Sequence, residues 1–225
     1  MPNSTDNSTK STRSAKEERL HVSFLTSAGS GSAPPAETGP EVALAGRSNA
    51  GKSSCLNRLA GHRQLARVSK TPGRTQLLNF FDVAGGGRLV DLPGYGYAKA
   101  GRDAQQRWQQ DVNAYLNYRE ALSGLVIVMD IRRPFSELDQ ELIDWACESE
   151  LPLHLLLNKA DKLKSGARQS ALIQAKKRLS GDNGLGAQSA KNSTVQCYSA
   201  LTGLGQTEAL DRLREMLAQD LSAEG

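Results

Sequence analysis

The chain has 225 residues, enough for one well-packed domain with some length to spare. Apolar content of 38% is ordinary for a soluble protein, and no apolar run approaches the roughly 18 residues a membrane span needs. The formal net charge is only +4, so the overall balance does not mark a polyanion binder, but its distribution is uneven. Between Glu41 and Asp82 there is no carboxylate, while Arg47, Lys52, Arg58, Arg63, Arg67, Lys70 and Arg74 all fall inside. That is more positive charge than one nucleotide requires, and it would suit RNA.

The first 20 residues are polar, aromatic-free and rich in Ser, Thr and Asn. Such a segment cannot bury enough apolar surface to order, so a disordered tail is expected, followed by a single domain over 21–225 with its core at about 41–219. The tail has no apolar stretch of the kind a secretory leader carries. Cys55, Cys147 and Cys197 have neither metal nor redox spacing. Reduced thiols in a cytoplasmic protein are expected.

In chain order, residues 27–40 are rich in Gly, Ser, Pro and Ala and predict a surface loop. Val42–Ala45 is a short apolar strand, and Ser53–Leu59 a helix. Leu77–Val83 and Arg88–Asp91 read as two strands joined at Gly85-Gly86-Gly87. Ala104–Tyr118 is predicted helical, from Trp108, Val112, Tyr115 and Leu116. Leu125–Met129 is apolar on both faces, as the middle of a parallel sheet covered by helices should be. Helix Leu138–Cys147, strand Leu153–Leu157, helix Ala167–Leu179, strand Thr194–Tyr198 and helix Thr207–Leu217 complete the alternation. The fold class is α/β, with a mostly parallel central sheet and helices on both faces.

Gly46-Arg47-Ser48-Asn49-Ala50-Gly51-Lys52-Ser53 has the G-x-x-x-x-G-K-S pattern, placed between a strand and a helix. In that context the backbone N–H groups and helix N-terminus face phosphate, Lys52 reaches the β- and γ-phosphates, and Ser53 offers a hydroxyl to Mg²⁺. Asp91-Leu92-Pro93-Gly94 follows a strand. Its acid can hold Mg²⁺ through water, and the Gly94 N–H can sense the γ-phosphate. Between these lie Thr71 and Thr75, within Thr71-Pro72-Gly73-Arg74-Thr75, either of which can bind Mg²⁺ only when the γ-phosphate is present. Asn158-Lys159-Ala160-Asp161 follows a buried strand. Its Asp161 carboxylate can accept from N1–H and the 2-amino group of guanine, which adenine lacks as a pair. Lys159 can lie along the base. Ser199 and Ala200 would bring backbone N–H groups to guanine O6.

The ordered set GRSNAGKSS, TPGRT, DLPGYGYA, NKADK and YSA resembles the EngB (YihA/YsxC) family of bacterial ribosome-biogenesis GTPases, over about Phe24 to Leu217. The resemblance implies a P-loop NTPase G domain and a nucleotide site that also takes in Gly73, Arg74, Gln76, Leu77 and Tyr198. It makes Thr75 the switch threonine, which with Ser53 ligates Mg²⁺. Catalysis would rest on Lys52, Thr75, Asp91 and Gly94. The family implies a role in large-subunit assembly and in cell division and septation, with a large ribosomal subunit precursor and its rRNA as partners. A cytoplasmic monomer without membrane association is expected.

After Gly94 stands Tyr95, where Ras-like enzymes place a water-orienting Gln, so intrinsic hydrolysis should be slow. Asn49 is a candidate ligand for an activating K⁺. An RNA face is expected from Arg63, Arg67, Lys70 and Arg74 with Lys99, Arg102 and Arg107, whereas Arg132-Arg133 reads as a solvated loop. Two other readings fit less of the chain: a nucleotide-sensing RNA-binding module with incidental hydrolysis, and an ATP-using kinase, which has no use for NKAD.

Overall fold

The computed structural model describes residues 19–29, 32–62, 64–66, 77–96, 102–180 and 192–218, with only the backbone over 102–109. Seven strands form one sheet in the order β1-β3-β4-β2-β5-β6-β7. They are β1 (Val22–Ala28), β2 (Glu41–Gly46), β3 (Leu78–Val83), β4 (Arg88–Asp91), β5 (Leu122–Asp130), β6 (Leu153–Asn158) and β7 (Ser193–Cys197). Strands β4, β2, β5, β6 and β7 are parallel neighbours, while β3 runs against both β1 and β4.

Among the described residues five α-helices flank the sheet: α1 (Lys52–Leu59), α2 (Arg102–Tyr118), α3 (Glu137–Glu148), α4 (Ser165–Leu179) and α5 (Gln206–Leu217). The period-2 alternation of the strands divides the core between two layers. Ala43, Ala45, Leu125, Ile127, Met129, Leu153, Leu155 and Leu157 pack with α2, α3 and α4. Val42, Leu44, Val126, Val128 and Leu156 pack with α1 and α5 on the other face. Strands buried on both faces must be apolar throughout, which is why β5 and β6 carry almost unbroken apolar runs.

Most elements fall within two or three residues of their expected limits. The exception is β1, part of which lies in the segment read as a surface loop. Ser27 and Ala28 instead pair with Asn79 and Leu78 of β3. β1 has weak alternation and leaves Phe24 55% exposed, so its local pattern is poor. Pairing with a strand some fifty residues away creates it. Leu20, at the edge of the polar tail, is buried, and its N–H donates to Leu59 O at 2.9 Å. The Trp108 side chain, residues 67–76 and 97–101, and the 181–191 segment lie outside the described residues.

At the edge of the sheet remote from the strand C-termini, Glu41 is completely buried. Arg119 grips both its oxygens, at 2.8 and 2.6 Å, the Tyr115 hydroxyl donates at 3.1 Å, and Arg88 reaches it at 3.4 Å. Burying a carboxylate is tolerable only with such compensation. Replacing Glu41 with Ala strips Arg119 of both its short carboxylate contacts, leaving it the longer Glu37 pair at 3.5 Å and the Pro35 carbonyl, and takes the buried anion away from Arg88. We expect a loss of about 3–5 kcal/mol in a urea titration, the usual cost of breaking a buried ion pair.

Candidate functional site

The C-terminal ends of β2, β4, β5, β6 and β7 converge on one rim of the sheet, the place where parallel α/β sheets bind ligands. The loop after β2 turns sharply into α1. Gly51, at the N-cap of α1, has φ +96°. A Cβ there would sit 2.4 Å from Asn158 Nδ2, so only glycine fits. Lys52, in the first turn of α1, is buried and ion-paired with the Asp91 carboxylate at the end of β4. Thus the cation and the acid expected to serve phosphate and metal are adjacent, each neutralising the other. Ser53 follows in the same turn, half-buried. Leu92 and Pro93 are buried, and Gly94 lies beside Ser48.

Asn158, the last residue of β6, and Lys159 just after it hold the phosphate loop from the other side. Asn158 is buried; its Nδ2 donates to Ala50 O at 2.8 Å, and its Oδ1 accepts from Ala200 N at 3.1 Å. Lys159 reaches Asn49 O at 2.6 Å and Asp130 at 3.0 Å. Asn49 and Lys159 face each other, both with positive φ, 69° and 63°. Left-handed backbone in a lysine costs roughly 1–2 kcal/mol, and such strain concentrates where geometry serves a site.

Asp161 lies in the short 3-10 turn Ala160–Lys162, and its Oδ1 accepts the Ser199 hydroxyl at 2.6 Å. That bond, ahead of a burial term that opposes it, holds the carboxyl below its usual range, so it is anionic and acceptor-only at neutral pH. Ala160 is buried, with its N–H on Tyr198 O. The loop after β7 departs from expectation in two respects. Ser199 N–H is taken by Leu204 O at 3.0 Å, so the residue acts through its hydroxyl, orienting Asp161. The Tyr198 side chain is turned wholly into the α1/α5 layer, and only its backbone lies near the site.

Tyr95 is also not where a water-orienting residue would stand. It is buried and its hydroxyl donates to Asp139 of α3. Burial, then the neighbouring Asp139, push the phenol well above its ordinary value. Its backbone bridges the phosphate loop: Ser48 N donates to Tyr95 O at 2.8 Å, and Tyr95 N to Gly46 O at 3.4 Å. Asp139 simultaneously completes a capping box with Ser136 at the start of α3. Leu77 is half-exposed before β3, while Gly73, Arg74, Thr75 and Gln76 lie outside the described residues.

A support that sequence reading missed lies beneath the 199–205 loop. His154 on β6 is buried, with ring nitrogens 2.7 Å from Thr194 Oγ1 and 2.9 Å from Gln196 Oε1. The Gln196 amide in turn donates to Gly205 O at 2.7 Å, fixing the far end of the loop. Arg58 of α1 binds Gln206 at 2.7 Å next to it. A histidine inside the apolar run of β6, two register positions from Gln196 of β7, was the available signal.

These features define a P-loop GTPase domain. The family model described as "50S ribosome-binding GTPase" matches residues 41–159. A protein of Idiomarina loihiensis named "Probable GTP-binding protein EngB" is 47% identical over 201 residues, covering 89% of this chain and 94% of that one. Proteins of the same name in Vibrio vulnificus and Escherichia coli are 48% and 49% identical, over 91% and 81% of this chain and 89% and 82% of theirs. The crystal structure of a probable GTP-binding protein EngB shares the fold, with TM-score 0.62 at 22% identity, over 79% of this chain and 98% of that one. Aquifex aeolicus Era bound to GDP and aluminium fluoride also shares it, with TM-score 0.62 at 19% identity over 80% of this chain and 57% of that one. The chain belongs to the EngB family of GTP-binding proteins and is a GTPase. Among the described residues no helix is long and apolar enough to cross a membrane.

Burial lowers the His154 pKa from 6.5 to about 4. The native state therefore prefers the neutral ring more than the unfolded chain does. Its stabilisation is complete above pH 6.5 and is lost as pH falls toward 4, by about 3 kcal/mol in all. Urea denaturation at pH 7.5 and pH 5 should show about 2 kcal/mol of this loss in the natural chain and a smaller one in His154→Gln.

Proposed function

We propose that this GTPase is a slow molecular switch in assembly of the large ribosomal subunit, and through that supports normal cell division and septation. The nucleotide reading rests on the convergence just described. Residues 46–53 wrap the phosphates, with Lys52 leaving Asp91 for the β- and γ-oxygens. Asp161, oriented by Ser199, accepts from the guanine edge, and Lys159 lies along the base while bracing Asn49. By the family resemblance, Gly73–Leu77, Thr75 among them, would contribute to the site.

A divalent ion fits the residues present. Among the described residues no group of three His, Cys, Asp or Glu could hold a metal. The oxygens beside Lys52 are a single serine hydroxyl and one carboxylate. That is the sparse, hard donor set of Mg²⁺, which relies on phosphate and water for the rest. Ser53 and Thr75 would hold it, with Asp91 behind. When bound, Mg²⁺ neutralises charge developing on the phosphate oxygens. Asn49 presents an exposed side-chain amide on the phosphate loop, with no side-chain partner among the described residues, and so suits a K⁺ ligand.

The observation that carries the switch reading is Tyr95. The residue immediately after Gly94 is bonded to the phosphate loop and to α3 at once, so movement at the γ-phosphate must disturb both. The same burial deprives the site of a side chain that could orient water, which favours slow intrinsic turnover and acceleration by a partner. Similarity to a family described as binding the 50S ribosome supports a large-subunit precursor and its rRNA as that partner. A monomeric, cytoplasmic protein agrees with this reading.

Co-sedimentation with large-subunit precursors should be strong with a non-hydrolysable GTP analogue and weak with GDP, and precursors should raise turnover. Equal pelleting in all nucleotide states would reject the switch. Asp161→Asn should lose guanine-nucleotide affinity by at least about 100-fold, the scale at which unpaired polar groups discriminate, and gain xanthine nucleotides, whose 2-oxo group accepts from an amide. Turnover should be several-fold faster in KCl than in NaCl, and Asn49→Ala should abolish the difference.

A further inference from the structure

A cleft of about 700 Å³ opens on the outer side of the phosphate loop, between that loop, the end of β5 and the start of α3. It shares Arg47, Ser48, Asn49, Ala50 and Lys159 with the nucleotide site but is not lined by Lys52, Ser53, Asp161 or Ser199, so it adjoins that site without coinciding with it. Its charged lining is Arg47, Arg132, Arg133 and Lys159 against Asp130 and Asp139. Both carboxylates are already engaged. Asp130 accepts a forked contact from Arg132, at 2.9 and 2.6 Å, and an ion pair with Lys159; these hold its carboxyl far below the usual range. Asp139 accepts from Tyr95 and caps α3. Arg47 and Arg133 are exposed and have no acidic partner among the described residues. The cleft therefore holds two unneutralised guanidinium groups beside the phosphate loop, and a third half-committed.

We propose that this cleft binds the phosphodiester backbone of single-stranded RNA. Guanidinium forks match phosphate oxygens in bidentate geometry. The apolar residues on the walls, Met129 and Ala50, are buried, so a protein partner would find no exposed apolar or aromatic anchor. A positive, polar cleft is what nucleic-acid interfaces present. Its position gives it a link to the nucleotide. Arg47 belongs to the phosphate loop, and its side chain lies against Gly96, just beyond Tyr95, with 3.1 Å to a Cβ built there. RNA in the cleft thus rests on both segments that face the γ-phosphate. Arg132-Arg133, which sequence reading gave to a solvated loop, becomes part of the site.

The choice of RNA as the polyanion rests on the ribosomal reading above, so the test separates the two. The probe is a fluorescein-labelled 12-mer of single-stranded oligouridine, titrated with full-length protein bound to a GTP analogue. Arg133→Glu should raise the dissociation constant at least tenfold. Arg133→Ala should reduce the slope of log affinity against log salt by about 0.7, one phosphate contact on a single strand. Neither variant should change GDP affinity or melting temperature, since Arg133 is exposed and outside the nucleotide site. Unchanged RNA affinity and salt slope, with precursor pelleting intact, would overturn the cleft and leave the ribosomal reading standing. Loss of precursor pelleting with unchanged RNA affinity would assign the cleft to an acidic protein surface and also overturn the proposal. If the natural chain fails to pellet with precursors, the ribosomal reading falls while the oligouridine titration still decides the cleft.

Discussion

The Asn158 side chain is the point on which the site depends. It ends β6, is buried, and uses both ends of its amide: the nitrogen holds Ala50 of the phosphate loop, the oxygen holds Ala200 after β7. Three loops from three strands are thus fixed to each other by one planar group. A buried amide with both ends satisfied is rigid, whereas one left half-satisfied is costly, so the three loops stand or fall together. The glycine at residue 51 follows from it, because the space a Cβ would need is filled by the Asn158 nitrogen.

Charge is handled in opposite ways at the two ends of the sheet. At the strand N-termini, Glu41 is locked by two arginines and a tyrosine, and nothing in that arrangement needs to move. At the C-termini, Lys52 and Asp91 neutralise each other in the same buried setting, but the roles proposed for both require separation. An incoming polyphosphate can replace Asp91 as partner to Lys52, since in a low dielectric the stronger anion wins the cation. The catalytic end of the protein is therefore held together by partners that can be exchanged, and the other end by partners that cannot.

Helix α3 links this exchangeable charge to the surface. Asp139 caps the helix and receives Tyr95, so the segment after Gly94 is anchored to an element with its own place in the core. The same helix start forms one wall of the basic cleft. Nucleotide site and cleft share residues 47–50 and Lys159, which makes them two sides of one structural unit.

Much of this was legible in the chain, for a physical reason in each case. Strands covered by helices on both faces must be apolar at every position, and phosphate loops need glycine where the backbone closes on an anion. Order and spacing of the motifs therefore gave the fold class, the convergence of the phosphate loop, Asp91 and Asn158–Asp161, and the family. Four things were not legible. Strand β1 exists because a distant strand offers hydrogen bonds. Tyr95 is buried because Asp139 is there to receive its hydroxyl. Ser199 acts through its side chain because Leu204 takes its N–H. Arg132-Arg133 lie beside Arg47 because β5 and β2 are neighbours. Sequence by itself determined the residue types that local backbone and burial demand. Only the tertiary structure decided which of them meet, because pairing across the sheet depends on strand order, and strand order is not written in any one segment.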